Sequence, residues 1–263
     1  MTPPAAPLPL LSEEGLRALD QLAAGPSLLA FDFDGTLAPI VADPAAAAAS
    51  EQLSQAVGRL CALAPVAVIT GRSVADIAER LAFVPRHLVG NHGMEGLPGL
   101  APGQGEAHAA TAREDTRQWG EQLRAAGLPV DVLVEDKGLS LSLHWRNAHQ
   151  PAAAEAAIEA AVARLQPSPK RIPGKFVLNV LPPGAQTKRD ALERLLAHEG
   201  LRQALFVGDD ETDETVFRDA PPDWVTVRIA PFERTAARFC LHDQTQIGAL
   251  LDELLGRLTR RTD

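Results

Sequence analysis

Three features of the sequence predict an α/β fold with a parallel-sheet core and an inserted α+β unit. Short apolar runs at residues 28–31, 66–70, 87–90, 204–208 and 225–229 alternate with segments of helical period, the pattern of buried parallel strands covered by helices. The middle of the chain breaks that alternation with a helix, hairpin, helix, hairpin order, which is an α+β pattern. Two apolar runs end in clusters of carboxylates, and the carboxyl ends of strands in such a sheet are where ligands bind.

The run at 28–31 leads directly into Asp32-Phe33-Asp34-Gly35-Thr36. Leu53, Val57, Leu60 and Ala64 then repeat at helical spacing until Pro65 stops the helix. After the run at 66–70, Ser73 is placed to cap a helix carrying Val74, Ile77 and Leu81 on one face. Residues 98–105, rich in Gly and Pro, read as a connection into the inserted unit. That unit is expected to hold a helix over 112–126, strands at 131–135 and 139–145 joined at Lys137-Gly138, and an Ala-rich helix over 151–165. A second hairpin is expected from 170–172 and 176–181 around Pro173-Gly174. The βα pattern then resumes and closes on an amphipathic helix with Ile247, Leu250, Leu251, Leu254, Leu255 and Leu258 on one face. Residues 45–49 are low-complexity, and 1–8 read as a loose tail.

The chain has 263 residues, 46% of them hydrophobic, enough for one large domain or two modest ones without covalent staples. Its longest apolar stretches fall far below the ~18 residues of a membrane span. The Pro-rich start lacks the basic opening and long apolar core of a signal peptide. A cytoplasmic protein with no membrane partner is the expectation. A formal charge of −9 argues against nucleic acid as a partner, but a local basic cluster would still admit a small anionic substrate. Of the two cysteines, Cys61 lies on the apolar face of a helix and reads as a structural thiol.

Asp32 and Asp34, two apart at a strand end, can reach one point beyond it, and Gly35 permits the sharp exit. Taken alone, the segment is equally ordinary turn chemistry. A second cluster, Asp209-Asp210-Glu211-Thr212-Asp213-Glu214, follows the run at 204–208. Glu211, Asp213 and Glu214 could simply be acids favoured at a helix N-terminus. Asp209 and Asp210 are harder to explain so, because packed carboxylates repel unless protonated or bound to a cation, and an all-oxygen set suits Mg²⁺. Thr70-Gly71-Arg72-Ser73 offers a hydroxyl, backbone N–H groups and a helix dipole to an anion, or else a plain helix cap. Lys188, at the start of another helix, could be a solvated surface lysine.

FDFDGTL at 31–37, ITGR at 69–72, Thr187-Lys188 and VGDDETDE at 207–214 together resemble the four ordered motifs of the haloacid dehalogenase-like phosphatases, in order and spacing across nearly the whole chain. The resemblance implies a Rossmann-like parallel-sheet core from residues 1–97 and 183–263, with an inserted α+β (αββαββ) cap domain over 98–182 that recognises substrate. It implies that Asp32 is the nucleophile and Asp34 the general acid and base. Mg²⁺ would be held by the Asp32 carboxylate, the Asp34 backbone carbonyl and Asp209, with Asp210 and Asp213 outside them or as alternates. Thr70, Gly71, Arg72 and Lys188 would bind phosphate.

Within that superfamily the chain is most similar to the trehalose-6-phosphate phosphatases, through Gly90-Asn91-His92-Gly93-Met94-Glu95, through 134–140 with His144-Trp145-Arg146, and through 174–179. This implies that Asn91, His92, Gly93, Glu95, Glu135, Lys137, Arg146, Lys175 and Asn179 form the substrate site. Without it, Glu135 and Lys137 are ordinary charges flanking a hairpin turn, and His92 an ordinary structural histidine. The chain departs from the family at Asn179, where a glutamate is usual; asparagine keeps an acceptor but loses charge and reach. The implied reaction is Mg²⁺-dependent hydrolysis of trehalose 6-phosphate, with a separate synthase chain as functional partner. The alternatives are a phosphatase for another glycosyl or sugar phosphate, a phosphomutase, or a non-catalytic sugar-phosphate sensor. Gly- and Pro-rich crossings near 97–102 and 181–184 suit hinge ends.

Overall fold

The computed structural model describes residues 6–41, 43–99, 104–174, 176–218, 220–230 and 235–262. The chain divides into two compact units, one of Met1–Pro98 with Lys188–Asp263 and one of Gly99–Thr187.

The first unit is a seven-stranded, all-parallel sheet. In chain order its elements are β1 (Leu8–Pro9), α1 (Glu13–Ala24), β2 (Ser27–Phe31), α2 (Glu51–Cys61), β3 (Val66–Ile69), α3 (Val74–Arg80) and β4 (His87–Val89). After the inserted residues come α6 (Lys188–Glu199), β9 (Gln203–Gly208), α7 (Glu214–Phe217), β10 (Trp224–Ile229), β11 (Phe239–Leu241) and α8 (Ile247–Thr262). The strand order is β1-β11-β10-β9-β2-β3-β4, so β2 lies between β9 and β3. Pairing of Phe31 with Val207 on one side and Val68 on the other brings three strand ends level.

Both faces of the sheet are covered, which is why its strands read as continuous apolar runs. Along β2, Leu29 and Phe31 enter a core packed by α1, α2 and α8, while Leu28 and Ala30 enter one packed by α6 and α7. Ser50 and Ser73 cap α2 and α3 by accepting from Leu53 N and Asp76 N. Cys61 is half-buried against the first of these cores.

Two features depart from the sequence reading. Leu8, expected in a loose tail, pairs in parallel with Phe239 at the sheet edge, while residues 1–5 lie outside those described. Helix α1 went unread although Ser12 caps it by accepting from Gly15 N and Leu19 and Leu22 are buried on its inner face.

The second unit has α4 (Gln104–Ala126), β5 (Leu133–Asp136), β6 (Leu141–His144), α5 (Pro151–Val162), β7 (Lys170–Gly174) and β8 (Val177–Leu181). Its antiparallel sheet runs β5-β6-β8-β7. Helix α4 begins at Gln104, inside the stretch expected to be a connection. Trp119, Leu123, Leu141, Leu143, Ile158, Leu178 and Val180 form a core of its own, and the Trp119 indole N–H donates to Pro167 O at 2.8 Å. Among the described residues, no helix is long and apolar enough to cross a membrane.

Candidate active site

Asp32 leaves β2 with its N–H still donating to Val207 O at 2.9 Å, so its position is fixed by the sheet. The chain then turns tightly: Thr36 N and Ala38 N both donate to Phe33 O, and Gly35 N donates to Ala38 O at 2.8 Å. Gly35 sits at φ 78°, where a side chain is strained, and a Cβ there would come within 2.0 Å of Asp209 Oδ2. The glycine therefore lets the end of β9 approach the end of β2.

At that second strand end, Asp213 organises the turn. Its Oδ2 accepts from the backbone N–H groups of Asp209 and Asp210, each at 2.9 Å. Its Oδ1 accepts from Lys188 Nζ at 2.8 Å, and the same ammonium lies 3.0 Å from Asp32 Oδ1. Lys188 is only 2% exposed and opens α6, where the helix dipole disfavours a cation. The surface-lysine alternative is thus excluded; the two carboxylates hold this lysine inside the protein.

Asp32, Asp209 and Asp213 each offer a carboxylate oxygen, all within 4.8 Å of one another. Burial pushes the Asp32 carboxyl up to about 8, against the pull of Lys188 and with Asp213 and Asp34 adding to the rise. Burial, then the neighbouring Asp32, Asp213 and Asp210, lift Asp209 well above the ordinary carboxylate range, and burial with Asp213 lifts Asp210. Burial alone would lower Lys188, but Asp213 and Asp32 outweigh it and keep the ammonium charged. Three carboxylates against one ammonium leave a formal surplus of two negative charges, and without a cation protons supply the balance. A divalent, oxygen-seeking ion matches both the surplus charge and the donor type. Asp213 already serves three donors, which suits it to a supporting position, whereas among the described residues Asp209 accepts only a long 3.5 Å contact from Thr36 Oγ1. The residues fit Mg²⁺.

On the other side of β2, the Arg72 guanidinium grips both oxygens of Asp34 at 2.7 Å and reaches Asp76 Oδ2 at 2.7 Å. Burial works against the charged form of Arg72, and the bonds to Asp34 and Asp76 overcome it, raising its pKa. Thr70 is buried at the end of β3, and its Oγ1 accepts from Arg72 N at 3.2 Å. Loop 90–95 packs on this segment: Asn91 N donates to Arg72 O and His92 N to Thr70 O. Asn91 and His92 take left-handed conformations ahead of Gly93, and the His92 ring occupies the space a Cβ on Gly71 would need. Glu95 Oε2 accepts from Asn91 Nδ2 and from Val74 N, both at 2.9 Å, so this oxygen binds the start of α3.

In the second unit, cross-strand pairing aligns Glu135, Ser142, Asn179 and Ile172 in one row. Ser142 Oγ donates to Asn179 Oδ1 at 2.7 Å. Glu135 Oε2 lies 2.9 Å from His144 Nε2 and 3.8 Å from Lys137 Nζ. Arg146 is exposed in the turn after β6, and Lys175 lies outside the described residues.

Two site residues escaped the sequence reading. Arg228, buried in β10, donates to Asp209 O at 2.6 Å and Asp210 O at 3.1 Å. It also pairs at 2.9 Å with Glu214, which reads in the sequence as one more acid at a helix start. The missed signal was a charged residue inside an otherwise uncharged, two-sided buried strand, which demands a partner.

A seven-stranded parallel sheet, an α+β insertion after β4 and acidic ends on two adjacent central strands define a haloacid dehalogenase-like α/β protein. The chain belongs to the trehalose-phosphatase family, whose profile matches residues 30–239. It is 31% identical over 240 residues to the trehalose-phosphate phosphatase of Mycobacterium marinum, covering 87% of this chain and 61% of that protein. With the trehalose-phosphate phosphatase of Mycobacterium tuberculosis (strain H37Rv) it shares 30% identity over 259 residues, 93% of this chain and 65% of that one. The chain therefore spans slightly less than two thirds of the length of these relatives. Among solved structures, the C-terminal domain of the C. albicans trehalose-6-phosphate phosphatase superposes with a TM-score of 0.73 at 23% identity, covering 97% of this chain and 99% of that one. A sucrose-phosphatase from Synechocystis, solved with sucrose and phosphate, superposes at 0.55 with 17% identity, covering 88% and 97%. Both likenesses are of fold.

Proposed function

We propose that this chain is a Mg²⁺-dependent phosphatase that converts trehalose 6-phosphate to trehalose and phosphate through an aspartyl-phosphate at Asp32. The single observation that carries the reading is the meeting of the Asp32, Asp209 and Asp213 carboxylates, two of them paired with one buried ammonium, with two negative charges left over. Membership of the trehalose-phosphatase family supports the sugar.

In this reading an Asp32 carboxylate oxygen attacks phosphorus in line, and the bond from phosphorus to the sugar oxygen breaks. Asp34 delivers its proton to that departing oxygen. Water then attacks the same phosphorus, Asp34 takes the water's proton, and the bond to Asp32 breaks to release phosphate. Asp32 and Asp209, with the Asp34 carbonyl, would hold Mg²⁺, which neutralises the carboxylate and the phosphate so that the two anions can meet. Lys188 and Thr70 would bind the phosphate oxygens, where phosphoryl-transfer charge resides. Arg72 orients Asp34 by holding both its oxygens. The inserted unit would read the sugar through Glu135, Lys137, Arg146, Lys175 and Asn179. The enzyme would act in the cytoplasm on a substrate made by a separate synthase chain.

A phosphate-release screen across sugar phosphates, with and without Mg²⁺, tests the proposal. Trehalose 6-phosphate should be preferred over sucrose 6-phosphate, and purified Asp32→Asn, with deamidation excluded, should be inactive. Isomer formation without phosphate release would indicate a mutase, and binding without turnover a sensor.

A further inference from the structure

The Asp209-Asp210 segment is held from two sides. Asp213 takes both of its backbone N–H groups, and Arg228 takes both of its carbonyls at 2.6 and 3.1 Å. Arg228 pairs with Gly208 in register across β10 and β9, so its side chain departs from the strand beside the turn it contacts. Its third partner, Glu214 Oε1 at 2.9 Å, opens α7, and Glu214 Oε2 accepts from Ala236 N at 2.9 Å. Arg228 is 6% exposed and Glu214 2%. Desolvating such a pair costs about as much as its attraction returns, and an apolar pair of similar volume commonly serves stability as well or better. What an apolar pair could not do is bind two carbonyls at once.

We infer that Arg228, braced by Glu214, is a positioning residue that fixes the Asp209-Asp210 turn and thereby sets the affinity of the Asp32–Asp209 site for a divalent cation. This rests on the metal reading proposed above. Two effects of Arg228 oppose each other. Its positive charge near the acidic cluster repels a cation, so loss of charge alone would tighten binding. Its planar fork spans several acceptors, which an ammonium cannot reproduce, so loss of the fork would let the turn move and weaken binding. The fork dominates, because among the described residues it supplies the one donor to Asp209 O and ties that carbonyl to Asp210 O, which otherwise accepts from Asp213 N at 3.2 Å within the turn itself.

The test is calorimetric titration of the full chain with Mg²⁺, comparing wild type, Arg228→Lys and Arg228→Met, with circular dichroism to confirm folding. Both variants should bind Mg²⁺ about tenfold or more weakly, the range seen when supporting partners of metal ligands are lost. At saturating Mg²⁺, the KM for the sugar phosphate should stay at the wild-type value, separating positioning of the ion from damage to the sugar site. Wild-type Mg²⁺ affinity in folded Arg228→Lys, or tighter binding in Arg228→Met, overturns the inference. If both Arg228 variants fail to fold, Glu214→Gln replaces them, since it keeps the shape of Glu214 and loosens the brace. Weakened Mg²⁺ binding there supports the inference and unchanged binding overturns it. A wild-type protein that binds no Mg²⁺ overturns the metal reading itself, a result distinct from any difference between variants.

Discussion

Replacing Lys188 by methionine keeps the length of a buried side chain and removes the charge between Asp32 and Asp213, at 3.0 and 2.8 Å. Removing one partner of a buried ion pair costs about 3–5 kcal/mol, because the remaining charge stays desolvated. At roughly 2–4 °C per kcal/mol for a domain of this size, the melting temperature without metal should fall by on the order of 10 °C. The loss should be greater at pH 8 than at pH 5.5, since protons can relieve the uncompensated carboxylates only while they remain bound. Mg²⁺ should return part of the lost stability by taking over some of the ammonium's role. Turnover should fall by three orders of magnitude or more even in the refolded, Mg²⁺-loaded variant, because phosphate would lose a donor and Asp32 its orientation (about 4 kcal/mol in the barrier). Thermal scans at both pH values, with and without Mg²⁺, and steady-state phosphate release provide the readouts. A melting temperature within about 2 °C of wild type in every condition, together with turnover within tenfold, would refute the reasoning that Lys188 holds the cluster together.

Further outcomes follow from the same geometry. Gly35→Ala would place a methyl 2.0 Å from Asp209 Oδ2 at φ 78°, so Mg²⁺ affinity measured by calorimetry should drop at least tenfold, and wild-type affinity would contradict the close approach of the two turns. Asp32 has a folded pKa of about 8 against an ordinary 3.8, so its stabilising contribution is full below pH 3.8 and is lost as pH rises towards 8. Mg²⁺ binding, which displaces those protons, should therefore strengthen from pH 6 to pH 8, and the Mg²⁺-induced rise in melting temperature should grow over the same interval; a pH-independent shift would argue against Asp32 as a ligand. Asn179→Glu tests the sugar assignment by kcat/KM on trehalose 6-phosphate and sucrose 6-phosphate. Failure of both proteins to prefer the trehalose ester would remove the substrate proposal while leaving the phosphatase chemistry untouched.

The parts of the fold legible in the sequence are those whose burial leaves a local mark. Strands β2, β3 and β9 are covered on both faces and so appear as near-continuous apolar runs, and β10 does so apart from Thr226 and Arg228. By contrast, β1 has two residues and becomes a strand only through pairing with β11 some 230 residues away, which no local window contains, and β11 has three, held between β1 and β10. Helix α1 did carry its signals, a capping Ser12 and acids at Glu13 and Glu14, just beyond the Pro-rich residues 1–8 that read as tail. At the site, position just after buried strands marks Asp32, Asp34 and Asp209 as candidates, but an ordinary acidic turn accounts for Asp32 and Asp34 until the four motifs are taken together. The burial of Lys188 was not, because it depends on which way the first turn of α6 faces. Nor was the commitment of Asp213 to two backbone N–H groups, since the same acid at a helix start needs no such duty. Arg228 and Glu214 are 14 residues apart, and their pairing exists only once β10 lies beside β9.

Chemical trapping of the nucleophile tests the account most directly. Wild-type protein mixed with Mg²⁺ and trehalose 6-phosphate, quenched during turnover and reduced with borohydride, should carry homoserine in place of aspartate at position 32, because an acyl phosphate is reduced where a free carboxylate is not. Peptide mass spectrometry should find that change only when both Mg²⁺ and substrate are present. Brisk phosphate release with position 32 unmodified, or with the reduced residue at another carboxylate, would contradict it.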